Sequence, residues 1–249
     1  VPLRRSASHC HWRGCSASSL PVSGCLAVTV QWHYLVVAVA PGSGSATVSP
    51  IPVTGAATVV DPMLGLTEPT FTACDYNNFV ASGTVTLQPG TYCNGIRLNA
   101  NARATFASGN YLIYGGGLIT GNNSRLTGSA VTIFIAVGGS ITMNSTTIVN
   151  LTAPTSGTYA GIAIFESRSV PLGVASHTIP IANTGRLEGV VYTPRSALQI
   201  TGVGATPANS SARALALVSR TLRLTGRLRI NYDPHYVADP LRQRAWLGE

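Results

Sequence analysis

The 249-residue chain has no lysine and only eight acidic residues; its 16 basic residues are all arginine, and the net charge is +8. The absence of lysine reflects a GC-rich coding sequence more simply than selection for guanidinium, although the two cations are not physically interchangeable. Charged residues of both signs amount to 10 % and apolar residues to 45 %. That balance excludes a long disordered chain, which carries few apolar and many charged residues. A substantial buried core is expected instead. The shortage of carboxylates narrows the chemistry as well. Acid–base cleavage of a glycan needs paired carboxylates, and a calcium site needs a cluster of oxygen ligands. No acidic residue occurs between Asp75 and Glu166. Nor does any apolar run reach the roughly 18 residues of a membrane-spanning helix. The nearest, CLAVTVQWHYLVVAVA at 25–40, is interrupted by Gln31 and His33 and lies too late for a clean secretory signal. GGGLITG (115–121) lacks the Lys-Ser/Thr ending of a phosphate-binding loop, and no serine-nucleophile elbow occurs.

Cysteine is scarce and odd in number: Cys10, Cys15, Cys25, Cys74 and Cys93. An odd count leaves at least one without an internal partner. Cys74 and Cys93 alone fall in the regularly patterned part. Their spacing suits a disulfide in an oxidising compartment, with two buried free thiols as the alternative. Residues 1–40 hold three of the five cysteines, three of the five histidines and two of the three tryptophans. His9, Cys10, His11, Cys15 and Cys25 could ligate a metal, but their spacing matches no zinc pattern. No metal is assigned. The segment reads as an atypical leader, disordered or translated out of frame, and no function is placed on it.

What the chain has in plenty is glycine, serine, threonine and asparagine between short apolar alternations, the texture of an all-β protein. Gly95, Gly117, Gly139 and Gly161 are each 22 residues apart. Asn101 aligns with Asn123, Arg103 with Arg125 and Thr147, and Ala104 with Leu126 and Ile148. The last glycine is the weakest match, because LTAPTSGTYAG looks like an inserted loop. Further on, EGVVYTPRSALQITG and ALALVSRTLRLTG align with a shift of 24, ending at Gly202 and Gly226. A constant period of this size marks a solenoid. The expected fold is a right-handed parallel β-helix with about 22 residues per coil, running from about residue 45 to 232. A β-sandwich, which demands no constant period, is the alternative.

Few side chains in this frame suit catalysis. Glu166 and Glu188 are 22 apart and could stack on adjacent coils as a carboxylate pair; the plainer reading pairs them with Arg168 and Arg186 at the rim. Asp233 and His235 in NYDPHYVADP could mimic an acid–base dyad, but the proline-flanked turn favours a capping role for Asp233. In SRTLRLTGRLRI, Leu222, Leu224, Leu228 and Ile230 face one way and Arg223, Arg227 and Arg229 the other, with Arg220 nearby. That arginine face could bind an anionic polymer or lipid head groups. Specific nucleic-acid recognition is not expected, since no stacking aromatics are interleaved. The bland reading is a solvated face that blocks edge-to-edge pairing.

Seven segments in order carry a resemblance: SGSATVSPIPVTGAATVVDPMLGL, CDYNNF, LQPGTYCNGIRL, GNYLIYGGGLITGNN, LTAPTSGTYAGIAIFESRS, LEGVVYTPRSALQITG and LRINYDP. Together they resemble the C-terminal region of TadG-like proteins of the bacterial tight-adherence (Flp) pilus-assembly family, over residues 41–235. The resemblance implies a β-helix domain at 41–235 and a C-terminal tail at 236–249. It implies an extracytoplasmic place, in the periplasm, at the cell surface or secreted. Envelope or pilus-assembly proteins are the implied partners. It carries over no catalytic residue, and no cofactor is expected. Cys74 and Cys93 fall where similar proteins also have cysteine, which favours the disulfide. Residues 1–40 depart from the family's preceding coils. Three readings follow: a non-enzymatic envelope solenoid for pilus assembly or adhesion; a polysaccharide-binding or polysaccharide-cleaving β-helix; and a filament-forming solenoid. The second requires Glu166, Glu188 and an arginine to converge in a groove. The third requires an exposed apolar coil at one end of the stack.

Overall fold

A computed structural model of the protein describes residues 26–31, 34–39, 61, 63–182, 184–206 and 208–230. Segments such as TVTL, RATF and RLTG alternate apolar and polar residues. Successive side chains of a strand point to opposite sides, so each segment buries one side only. Glycine and asparagine at the corners take the left-handed backbone that the sharp bends need. Asn94, Asn101 and Asn123, for example, sit at φ 58°, 62° and 55°.

Two strands, β1 (Leu26–Gln31) and β2 (Tyr34–Val39), form an antiparallel hairpin. From Tyr76 the chain winds into coils. The first holds β3 (Tyr76–Ala81) and β4 (Thr84–Leu87). The next holds β5 (Gly90–Leu98) and β6 (Arg103–Phe106). The third holds β7 (Gly109–Tyr114), β8 (Leu118–Thr120) and β9 (Arg125–Gly128). The fourth holds β10 (Val131–Ile135), β11 (Ile141–Thr142) and β12 (Ile148–Thr152). After β13 (Ile162–Glu166) and β14 (Ser176–Ala182), the long β15 (Arg186–Val203) turns through all three faces, and β16 (Leu215–Gly226) ends the stack. The result is a parallel β-solenoid of about six turns, with no helix among the described residues.

Three parallel faces run the length of the stack. The first stacks β7, β10, β13 and the middle of β15. The second stacks β8, β11, β14 and the C-terminal half of β15. The third stacks β4, β6, β9, β12 and the start of β15. Inside, like sits on like. Tyr111, Ile133, Ile164 and Val191 form one buried column, and Ile96, Leu118 and Ile141 another. At the N-terminal end the core is aromatic: Tyr76 stacks on Tyr92 at 4.5 Å, and Tyr92 lies 5.9 Å from Tyr111. Burial pushes the Tyr111 hydroxyl up to about 12 and raises that of Tyr92 further, so both stay protonated.

The period departs from the sequence reading in four places. Arg103 does pair with Arg125, but Arg125 pairs with Ile148 rather than Thr147, and Leu126 with Val149 rather than Ile148. The second face shows the same one-residue slip: Leu118 pairs with Ile141, so Ser140 and not Gly139 sits beside Gly117. Gly161 opens β13 on the first face, whereas Gly95 and Gly117 precede the second; its match was coincidental. The shift of 24 holds from Ala197↔Thr221 to Gly202↔Gly226 but becomes 26 at Gly189↔Leu215, across an irregularity after Thr193.

Residues 61 and 63–75 are not a coil, although the repeat was expected to begin near 45. They lie as a strap along the outside of the first face. Met63 packs with Phe134, Ile162, Phe165, Val190, Tyr192, Ala214 and Val218 in a second hydrophobic cluster. The Tyr192 hydroxyl donates to Asp61 and the Tyr159 hydroxyl to the Thr67 carbonyl. Arg168 pairs with Glu68 at 3.0 Å, donates to the carbonyls of Met63 and Leu66, and lies over the Phe165 ring. Phe71 stacks on Tyr114 at 4.5 Å. The strap ends at the Cys74–Cys93 disulfide, with Cα atoms 5.6 Å apart. The Cys93→Ser variant is expected to lose about 2–4 kcal/mol of stability. Denaturant unfolding with and without reductant checks it: reductant should lower the midpoint of the natural chain and leave the variant unmoved.

Candidate functional site

Glu166 and His177 occupy positions that other coils give to apolar side chains. The column Tyr92–Ile113–Ile135 continues into Glu166, and Ile96–Leu118–Ile141 continues toward His177. Both polar residues, and Ser196, are 0 % exposed. A buried carboxylate survives only if its oxygens are hydrogen-bonded. Here the Ser196 hydroxyl donates to Oε1, the Arg195 backbone N–H donates to Oε2 at 3.0 Å, and His177 Nε2 lies 3.0 Å from Oε1. The Ile141 N–H donates to His177 Nδ1 at 3.1 Å, which places the ring proton on Nε2, facing Glu166. The trio superficially resembles a hydrolytic triad. Its arrangement differs: the serine hydroxyl hydrogen-bonds to the carboxylate rather than to the imidazole, and all three side chains are fully buried. It joins the ends of β13 and β14 to the bend in β15.

Glu188 lies elsewhere. Its strand position pairs with Thr152 on the third face, whereas Glu166 pairs with Ile135 on the first. The proposed carboxylate pair is therefore not formed. The inserted segments 153–161 and 167–175 separate the two. Arg186 does pair with Glu188, at 2.6 Å, joined by Arg213 at 2.8 Å. Arg168, expected beside Glu166, instead holds Glu68. Burial raises the Glu188 pKa, but the Arg213 backbone N–H and the two guanidinium groups outweigh it and hold the carboxyl below its ordinary value. The sign of the pH dependence follows. This stabilisation is complete above the ordinary carboxylate range and is lost as pH falls through the lower folded value. Acid titration of the unfolding midpoint should be less steep in Glu188→Gln than in the natural chain; equal slopes would refute the assignment.

All five described carboxylates are thus engaged in structural bonds: Asp61, Glu68, Glu166 and Glu188 as above, and Asp75 through the Thr91 N–H at 2.7 Å. Among the described residues, no three His, Cys, Asp or Glu side chains gather as a metal site. His9, Cys10, His11, Cys15, Cys25, Asp233 and His235 lie outside the described residues.

Arginines sit on the outside. Arg97 and Arg103 are exposed, and Arg125, in register beside Arg103, is half-buried. Arg97 is on the second face, whereas Arg103 and Arg125 border an outward ladder of hydroxyls on the third, Thr86, Thr105 and Thr127, with 3.2 Å between the last two Oγ1 atoms. The four arginines read as one face are distributed around the final coil. Arg220 lies at the corner between Ser219 and Thr221, next to Gly173, and Arg223 is on the second face. Arg227, past Gly226, donates to the Ala205 carbonyl, and Arg229 bonds through its backbone N–H to Ala208. A cavity of about 230 Å³ opens between the strap and the first face. Its lining includes Phe71, Leu112, Tyr114, Phe134 and Val137, with Glu68 and Ser167 at the polar side.

Sequence reasoning missed His177, Ser196 and the strap. SHTIPIA (176–182) held a signal: His177 shares the inward register of Ile179 and Ile181, and a histidine there needs a partner. The comparisons with known proteins add no name: no family model matches the chain, and neither a curated protein nor a solved structure does.

Proposed function

We propose that the protein is a non-enzymatic β-solenoid of the bacterial envelope or cell surface, serving pilus assembly or adhesion of the tight-adherence (Flp) type. The placement of charge carries this reading. The described carboxylates are tied up in structural bonds, while Arg97, Arg103 and Arg220 remain exposed. Such a surface attracts anionic partners, and among the described residues no two carboxylates are placed to share acid–base work. The resemblance to TadG-like chains supplies the pilus setting. The disulfide is compatible with an extracytoplasmic location. No helix among the described residues is long and apolar enough to cross a membrane.

The second reading is binding of cell-surface polysaccharide, favoured by the cavity whose rim carries the stacked Phe71 and Tyr114 rings. Crosslinking in intact source cells with a tagged copy tests both. Recovery of pilus or secretion-channel proteins supports the assembly role. Retention on capsular or cell-wall polysaccharide alone, weakened by Phe71→Ala, would replace it with glycan binding.

A further inference from the structure

We propose that the first coil is a self-association surface, through which two copies of the chain join N-terminal end to N-terminal end into a closed dimer. Four observations converge on β3 and β4. The first is an open strand edge. Arg103 donates to the Gly83 carbonyl and Ala107 to that of Leu87. Backbone groups alternate in direction along a strand, so the N–H and C=O of Thr84 and Thr86 point away from β6. Among the described residues, β3 pairs only with β5 and β4 only with β6.

The second is the lack of protection on that edge. Natural edges are blunted by charge, proline or a bulge. The segment YNNFVASGTVTLQ (76–88) has neither a charged residue nor a proline. The bulge at Asn78 (φ 47°) confines what protection there is to β3, and β4 runs in unbroken register with β6. Two such edges can meet without like-charge repulsion. The third is the core exposed at this end. Tyr76, Phe79 and Val85 pack on the core yet are only partly buried. Tyr76 closes the column that runs through Tyr92 to Tyr111, and among the described residues no ring covers its outer side.

The fourth decides the symmetry. At the opposite end β1 lies antiparallel on β16, Leu26 to Leu224 and Val28 to Leu222. Head-to-tail continuation would lay β3 and β4 on the last coil, but the second-face half of β16 already carries β1, and β1 in turn carries β2. Pairing of like with like, about a two-fold axis, needs only the first coil's own edge and closes at two copies rather than growing into a fibre. A filament would instead have to grow on the outer edge of β2, which pairs only with β1 among the described residues.

Sedimentation velocity on the full chain over a wide concentration range tests this. A monomer–dimer equilibrium is expected. The Val80→Lys/Thr86→Lys double variant should weaken it at least about tenfold by setting like charges across the two-fold. Both side chains are exposed, so at a concentration low enough that both proteins are monomers its thermal midpoint should match that of the natural chain. Amide exchange at Thr84 and Thr86 should slow as the natural protein is concentrated. Three results would overturn the proposal: a monomer at every concentration, with the edge covered by the chain's own remaining residues; an open-ended polymer; or a dimer indifferent to the two lysines.

Discussion

Replacing Gly117 by alanine is expected to destabilise the solenoid by at least about 3 kcal/mol, among the larger effects of a single methyl group. Gly117 has φ 105°, a conformation that side chains rarely adopt. A Cβ built there would lie 2.1 Å from the Ser140 carbonyl oxygen and 2.7 Å from its nitrogen. Both are backbone atoms of the next coil, held by the N–H of Leu118, which donates to the Ser140 carbonyl at 2.7 Å. Neither can step aside without opening the ladder. Gly83 is the control. Its φ is 68°, but nothing lies within 4 Å of its hypothetical Cβ, so Gly83→Ala should cost only the left-handed penalty of about 1–2 kcal/mol. Urea unfolding of the two variants measures the difference. Equal losses would mean that backbone conformation alone, and not the approach of the coils, makes Gly117 necessary.

Glu166→Ala should lose about 3–5 kcal/mol, because it leaves buried hydrogen-bond donors without an acceptor. The Ser196 hydroxyl, the Arg195 N–H and His177 Nε2 all converge on this one carboxylate. Glu166→Gln keeps the shape but turns one oxygen into a donor facing other donors, so it should recover only part of the loss. Glu188→Ala offers a comparison on a more open site, since Arg186 and Arg213 can reach water when their partner is removed. A Glu166→Ala protein as stable as the natural chain would show that the cluster is hydrated rather than sealed.

The repeat was legible because close approach of coils forces glycine at fixed points. Gly95 meets Gly117 at 2.4 Å from its hypothetical Cβ, and Gly117 meets Ser140. Counting glycines nevertheless misses the slip at the next coil. There the turn is closed by Gly139 donating to Ala136, and the residue that continues the column is a serine. The carboxylate pair failed for a related reason. Glu166 and Glu188 obey the average period, but their own coils are longer: Ile133 pairs with Ile164 and Leu151 with Leu187, separations of 31 and 36 rather than 22. The strap left no periodic trace because its bonds are not between neighbouring coils; Asp61 meets Tyr192 across 131 positions. A lone aromatic or acid in an irregular stretch does not say which distant side chain it will meet.

The strap also has a mechanical consequence. In a stack of coils that touch only their neighbours, ends fray independently and stability accumulates unit by unit. Here Asp61 and Met63 are fastened near the C-terminal coils, through Tyr192 and Val218, and Cys74 is fastened to the second coil. The chain between them works as a splint. A tensile load arriving through the residues before Asp61 enters the molecule at the end of the stack farthest from the first coil. It is then borne in shear by a row of contacts along the axis, the ion pair of Arg168, the Tyr159 hydroxyl and the Phe71 ring among them. Contacts loaded in shear fail together, whereas coils peeled from an end fail in turn. A chain strapped in this way therefore resists a pull along its axis as one body.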